Sequence, residues 1–252
     1  MKHRSVLDVP IHQLSRVELE AEIRKILSGN SFSHVATVNP EFLVEAEKNE
    51  KFKKILQNTT LNICDGSGIS IFAGILLHTQ FVRIPGVEVA EMICKISAEM
   101  GKLVFFLGGF GVASNASKAM QKHFPTLRIS GTLDGNMDTL EEVKSANPDV
   151  ILVAFGAPKQ EYWLAENGAK IPSLRLGIGV GGTFDFWAGK VHRAPFLMRK
   201  IGLEWLWRLI LEPTKRAPRI WRAVFVFPWR LVKNKLKETL INGMKKERKR
   251  IE

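Results

Sequence analysis

The chain has 252 residues, 45% hydrophobic and 25% charged, with a formal net charge of +12. Such a balance is ordinary for a globular chain long enough to bury a core. The absence of any run of ~18 uncharged apolar residues excludes a spanning helix, so any membrane contact is peripheral. The charge is uneven: from Thr214 onward thirteen lysines and arginines face three glutamates, so ten of the twelve net positive charges sit in that segment. This predicts a polyanionic partner for the tail, either a membrane surface or a nucleic acid.

Cys64 and Cys94 are the only cysteines and fit neither a metal-ligand nor a redox spacing, which predicts a reducing cytoplasm. Met1 to Glu22 has no apolar core of the kind a signal peptide carries, so none is expected.

Val6 to Ile11 reads as a short opening strand. Ser15 and Glu18 form a capping box for a helix with Val17, Ala21 and Leu27 among its apolar positions. His34 to Val38 is a buried-strand run that stops at Asn39-Pro40, and Glu41 to Leu56 follows as one amphipathic helix. Leu61 to Cys64 is a second such run. It delivers Asp65 and stops in Gly66-Ser67-Gly68, where the missing Cβ atoms let backbone and substrate come close. At a strand end of an α/β fold, Asp65 is either a general base or a cap on the helix beginning near Ser67. Thr37 and Asn39 lie at a strand end too, with turn capping as their ordinary explanation.

Ile69 to Leu77 reads as a buried helix, and Arg83 as a loop residue before the helix Val87–Met100. Lys102 to Leu107 is a strand, and Gly108-Gly109-Phe110-Gly111 leads into a helix at Ala113–His123 without matching a dinucleotide fingerprint. Leu127 to Gly131 suggests another strand. Asp149 to Phe155 ends in the cluster Gly156-Ala157-Pro158-Lys159-Gln160-Glu161, where a helix begins. Leu174 to Val180 runs into Gly181-Gly182-Thr183-Phe184-Asp185, a turn suited either to phosphate at a helix N-terminus or to tight packing. Alternating strands and helices predict a Rossmann-like α/β fold with a largely parallel sheet and its polar strand ends on one edge. No D-x-D pair is present to hold a divalent metal against a nucleotide diphosphate, so no metal is expected.

In order along the chain, Thr37-Val38-Asn39-Pro40-Glu41, Asp65-Gly66-Ser67-Gly68, Arg83-Ile84-Pro85-Gly86 and Gly156-Ala157-Pro158-Lys159-Gln160-Glu161 form a set with Gly179-Val180-Gly181-Gly182-Thr183-Phe184-Asp185, Arg193-Ala194-Pro195, Leu203-Glu204-Trp205-Leu206-Trp207-Arg208-Leu209 and Glu212-Pro213. The set resembles the WecG/TagA/CpsF family of bacterial glycosyltransferases. That resemblance implies transfer of an N-acetylmannosamine-type sugar from UDP to N-acetylglucosamine on undecaprenyl diphosphate, with inversion and no cofactor, in cell-surface polymer synthesis.

It further implies Asp65 as the base, on a site that raises its pKa by desolvation. Thr37, Asn39 and Gln160 would hold the sugars, and Arg83 would meet the diphosphate. Gly156, Pro158, Lys159 and Glu161, with Gly179, Gly181, Gly182 and Asp185, would form the nucleotide-sugar site.

The resemblance also divides the chain into a catalytic domain over 1–195 and an appendage over 196–252. Phe196, Leu197, Ile201, Leu203, Trp205, Leu206, Leu209 and Ile210 form an apolar helix pattern. Beyond Pro213, Trp221, Phe225, Phe227, Trp229, Leu231 and Leu236 interleave with basic residues, as in a helix lying in a membrane interface. In the family the appendage docks the enzyme on the inner face of the membrane and supplies arginines to the site. Arg216, Arg219 and Arg222 are the candidates here, with Trp221 and Trp229 as membrane contacts. Self-association in solution would mask such a surface. The competing reading, a nucleic-acid-binding protein with a gripping tail, gives no role to Asp65, Gln160 or the glycine turn.

Overall fold

The strand sequences lack the in–out alternation of a one-sided sheet, and the computed structural model shows the reason: helices cover both faces. The structure describes residues 2–135, 138–195, 197–198 and 202–251, with side chains to residue 240 apart from 208, 215 and 238. The strands are β1 (His3–Val6), β2 (Val9–His12), β3 (Ser33–Val38), β4 (Leu61–Cys64), β5 (Leu103–Gly108), β6 (Arg128–Leu133), β7 (Val150–Ala154) and β8 (Leu176–Gly179). They form an 8-stranded sheet in the order β1-β2-β4-β3-β8-β7-β5-β6. Every neighbouring pair is parallel except the β1–β2 hairpin, so the expected α/β class with a largely parallel sheet is the one adopted.

Successive strand residues feed opposite layers. Val104, Phe106, Val150 and Leu152 pack under the helices Arg16–Ser28, Gly86–Glu99 and Ala113–His123. Phe105, Leu107, Ile151 and Val153 pack on the other face with Trp163 of the helix Lys159–Asn167. A further cluster on that side joins Ala36, Val38, Phe42, Leu43 and Phe52 to Phe227 and Leu231 of the C-terminal helix Phe227–Ile251. The appendage therefore docks on the body through a real apolar contact; burying a Phe or Leu side chain contributes about 1.5–3 kcal/mol each.

Four local expectations change. The opening strand is a hairpin that turns at Leu7 and Asp8, both at positive φ. Glu41 to Leu56 is two helices, Pro40–Lys48 and Glu50–Asn58, because Asn49 breaks the pattern: its Oδ1 accepts from Phe52 N at 3.1 Å and its Nδ2 donates to the Tyr162 hydroxyl at 2.6 Å. Val17 points to solvent, and Leu19, Ile23, Ile26 and Leu27 form the buried face of its helix. The segment Ile69–Leu77 is a π-helical turn followed by a short α-helix, with Ile69 and Ala73 buried but Ile71 and Ile75 exposed. Of the tail's apolar pattern, Phe196 and Ile201 lie outside the described residues.

Candidate active site

Because β2 to β8 run parallel, their carboxyl ends share one edge. Thr37 and Asn39 lie there at the end of β3, Asp65 after β4, Gly156 after β7 and Gly181 after β8. In open α/β sheets this is the edge that opens into the ligand crevice.

Asp65 is held by its backbone. Its N–H donates to Val38 O at 2.9 Å, and the preceding carbonyl, Cys64 O, accepts from Ile84 N at 2.8 Å. Arg83 Nε donates to Asp65 O at 3.1 Å, so the arginine is anchored on the backbone of Asp65. The Asp65 carboxylate and the Thr37 hydroxyl converge on Gly86, which opens the helix Gly86–Glu99. A Cβ there would stand 3.0 Å from Thr37 Oγ1 and 3.4 Å from Asp65 Oδ2. Glycine thus leaves room for both oxygens at the positive end of a helix. Burial pushes the Cys64 thiol up to about 12, with the Asp65 charge adding to it, so Cys64 stays an inert thiol.

Asn39 caps the helix Pro40–Lys48, its Oδ1 accepting from Phe42 N at 3.1 Å. The space beside Gly66 and Gly68 goes to the ring of Pro40 rather than to substrate. A Cβ on Gly66 would overlap Pro40 Cδ, and one on Gly68 would lie 2.7 Å from Pro40 Cγ. These glycines let β3's turn pack on β4's turn. The helix Ala113–His123 is likewise already served: Ala113 N donates to Asp134 Oδ1 at 3.1 Å, where a phosphate would otherwise bind.

The second half of the site is clamped by Gln160, which is 3% exposed. Its Oε1 accepts from Gly156 N at 3.1 Å and Gly181 N at 3.0 Å, joining the turns after β7 and β8. Its Nε2 donates to Glu161 Oε1 at 2.9 Å. Those two amides are therefore committed within the protein. Gly179 passes so close that a Cβ would overlap Gln160 Nε2 and Glu161 Oε1. Glu161 is fully buried, its Oε2 has no hydrogen-bond partner, and burial raises its pKa to about 8. Pro158, in a cis peptide with Ala157, opens the helix, and Lys159 is exposed. Gly182 precedes the short helix Thr183–Trp187, whose Asp185 pairs with Lys190 at 3.8 Å.

The tail reaches the Asp65 side of this edge. The carbonyl of Ala223 is 3.7 Å from the position of a Gly68 Cβ, and Arg219 pairs with Glu41 at 3.6 Å, two residues after Asn39. Arg216 is drawn back to Glu212, with Nε and NH2 both donating to Oε2 at 3.1 and 3.0 Å. Arg222 is exposed, as are Trp221 and Trp229. Motif spacing did not reveal what surrounds Arg83. Glu204 and Arg193, each inside a quoted motif, meet around it, and only the fold brings them together. Among the described residues no group of three or more His, Cys, Asp or Glu side chains is placed to hold a metal ion.

The largely parallel α/β sheet, with a carboxylate, a hydroxyl and an arginine gathered at its carboxyl edge, is a Rossmann-like architecture with its candidate site where such folds bind ligands. Residues 4–240 match the model of the glycosyl transferase WecG/TagA/CpsF family, and the chain belongs to that family. It is thus a glycosyltransferase. It is 27% identical over 239 residues, 92% of this chain and 93% of the relative, to an N-acetylglucosaminyldiphosphoundecaprenol N-acetyl-beta-D-mannosaminyltransferase of Staphylococcus aureus strain NCTC 8325. The protein of the same name from strain MRSA252 is 26% identical over the same share.

Proposed function

We propose that the protein transfers N-acetylmannosamine, or a closely related sugar, from UDP to N-acetylglucosamine on undecaprenyl diphosphate, with inversion and without a metal. The observation that carries this reading is the meeting of Asp65, Thr37 and Arg83, from three separate segments, at the carboxyl edge of the sheet in a chain of this family. Asp65 takes the proton of the acceptor hydroxyl as that oxygen attacks the anomeric carbon. The bond from that carbon to the β-phosphate oxygen breaks, and its electron pair leaves with UDP. Arg83 meets the charge that develops there, at a site where a fixed cation acts without reorganising. Thr37 and Asn39 line the sugar side, and the turns clamped by Gln160 shape the donor side with Gly156, Gly181 and Gly182.

The appendage supports a peripheral position on anionic lipid. Trp221, Phe225, Trp229, Val232, Leu236 and Leu240 are exposed and recur every three or four residues, a single apolar stripe. Arg222, Lys233 and Lys237 are also exposed along this segment. Such a face suits the headgroup boundary, where each basic residue contributes roughly 1 kcal/mol. The inward residues Phe227 and Leu231 hold it to the body. Among the described residues no helix is long and apolar enough to cross a membrane. The test is acceptor-dependent UDP release from UDP-N-acetylmannosamine in EDTA; no release with this or any of a panel of UDP-sugars would sink the reading.

A further inference from the structure

Charged side chains around Arg83 form a chain that crosses from the body into the appendage. Glu204 opens the helix Glu204–Leu211, with Oε2 3.8 Å from Arg83 NH2 and Oε1 3.6 Å from Arg193 Nε. Arg193 NH2 reaches Glu88 Oε1 at 3.5 Å, and the other Glu88 oxygen pairs with Arg16. Glu88 lies in the first turn of the helix that starts at Gly86, the residue facing Thr37 and Asp65. The links from Arg83 through Glu204 and Arg193 to Glu88 therefore bracket the turn over 84–86, whose Gly86 faces Thr37 and Asp65. The Glu204 helix is itself pinned there, because Trp207 Nε1 donates to His192 O at 3.1 Å.

The Glu204 side chain is only 13% exposed, and a carboxylate so placed is unfavourable unless cations meet it. Two do. Removing its charge leaves the Arg83 and Arg193 guanidinium groups, 21% and 24% exposed, without the anion between them, and Arg193 Nε already has no hydrogen-bond partner. Among the described residues, the remaining polar contact of Arg83 would then be Nε on Asp65 O, a single bond about which the fork swings.

We propose that Glu204 is a positioning residue for donor binding: from the appendage it fixes the Arg83 guanidinium, against Arg193, in the orientation that receives the diphosphate. The proposal rests on the reading of Arg83 as the diphosphate contact. It gives the appendage a part in the site separate from lipid contact. The opposite assignment, a carboxylate that competes with diphosphate for Arg83, predicts the opposite sign.

The experiment is calorimetric titration of UDP into the full chain for wild type, Glu204→Gln, Arg83→Ala and the double variant, with thermal melts alongside. Glu204→Gln should weaken UDP binding about tenfold, the size of a coupled contact, and should have no further effect once Arg83 is gone. Glu204→Asp, which keeps the charge, should recover part of the affinity, and it carries the test should the glutamine variant fail to fold. A purely structural role would lower the melting temperature and weaken binding equally in both backgrounds, which would overturn the proposal. Equal or tighter UDP binding by Glu204→Gln would overturn it as well. Wild type that binds no UDP would instead sink the reading of Arg83, and the proposal with it.

Discussion

Glu161→Gln should flatten the protein's stability across the alkaline range. The wild-type carboxyl is fully buried beside Gln160, with a folded-state pKa of about 8 against an ordinary value of 4.5. The folded state therefore holds a proton that the unfolded chain has already released. Stability falls as pH rises from the unfolded pKa through the folded one and levels off above it. Between about pH 7 and 9, the native group passes from mostly protonated to mostly ionised, which corresponds to about 1.4 kcal/mol. At a urea slope of about 2 kcal/mol/M this moves the unfolding midpoint by roughly 0.7 M. The other buried titratable groups act alike in wild type and variant, so the difference between the two isolates Glu161. His34, held neutral by burial at about 4, adds stability as pH rises to its unfolded value of 6.5. Cys64 and Cys94, whose thiols burial raises from 9.0, begin to lower stability near the top of that range, equally in both proteins. Glutamine keeps the shape and an acceptor for Gln160 Nε2 but has nothing to titrate. Urea midpoints for both proteins at the two pH values decide it. An equal decline in wild type and variant would place the proton elsewhere and refute the reasoning.

Gly179→Ala should destabilise the fold by about 1–3 kcal/mol, because the methyl overlaps the buried Gln160–Glu161 pair; a melting temperature equal to wild type would show that the clamp yields freely. Phe227→Ala should cost about 3–5 kcal/mol of local docking energy and release the appendage, so that trypsin cuts the basic tail much sooner while the body melts as before. Unchanged cleavage would mean that the tail is held by other contacts. Replacing Trp229 and Leu236 together with alanine should reduce sedimentation with anionic vesicles several-fold, since both face outward on the apolar stripe. Equal pelleting of wild type and variant would remove that stripe from the membrane contact.

The sheet was legible in the sequence because a strand covered on both faces leaves an unbroken apolar run, as in Leu61 to Cys64 and Val150 to Ala154. The common edge followed from the alternation of elements, and with it the grouping of Thr37, Asp65, Gly156 and Gly181. What the sequence concealed depends on distance through space. Gly66 and Gly68 look like openings for substrate, yet the ring that fills them belongs to Pro40, more than twenty residues earlier. Gln160 reads as a ligand contact, and nothing local shows that its oxygen is shared by two glycine amides from different turns. Asn49 carries no break signal in the sequence, because a helical apolar period runs through it, whereas its side-chain hydrogen bond restarts the helix. Glu204 and Arg193 stand in separate motifs, and their meeting at Arg83 depends on how the appendage folds back.

The central claim is that Asp65 is the base of a sugar transfer. Its most direct test is the rate of UDP release from UDP-N-acetylmannosamine, in EDTA, with and without a lipid-diphosphate-linked N-acetylglucosamine acceptor, for wild type and Asp65→Asn. The account predicts acceptor-dependent release by wild type and a fall of about 10²–10⁴-fold in the variant, the size expected for a lost general base. Acceptor-dependent release at the same rate in both proteins would contradict it.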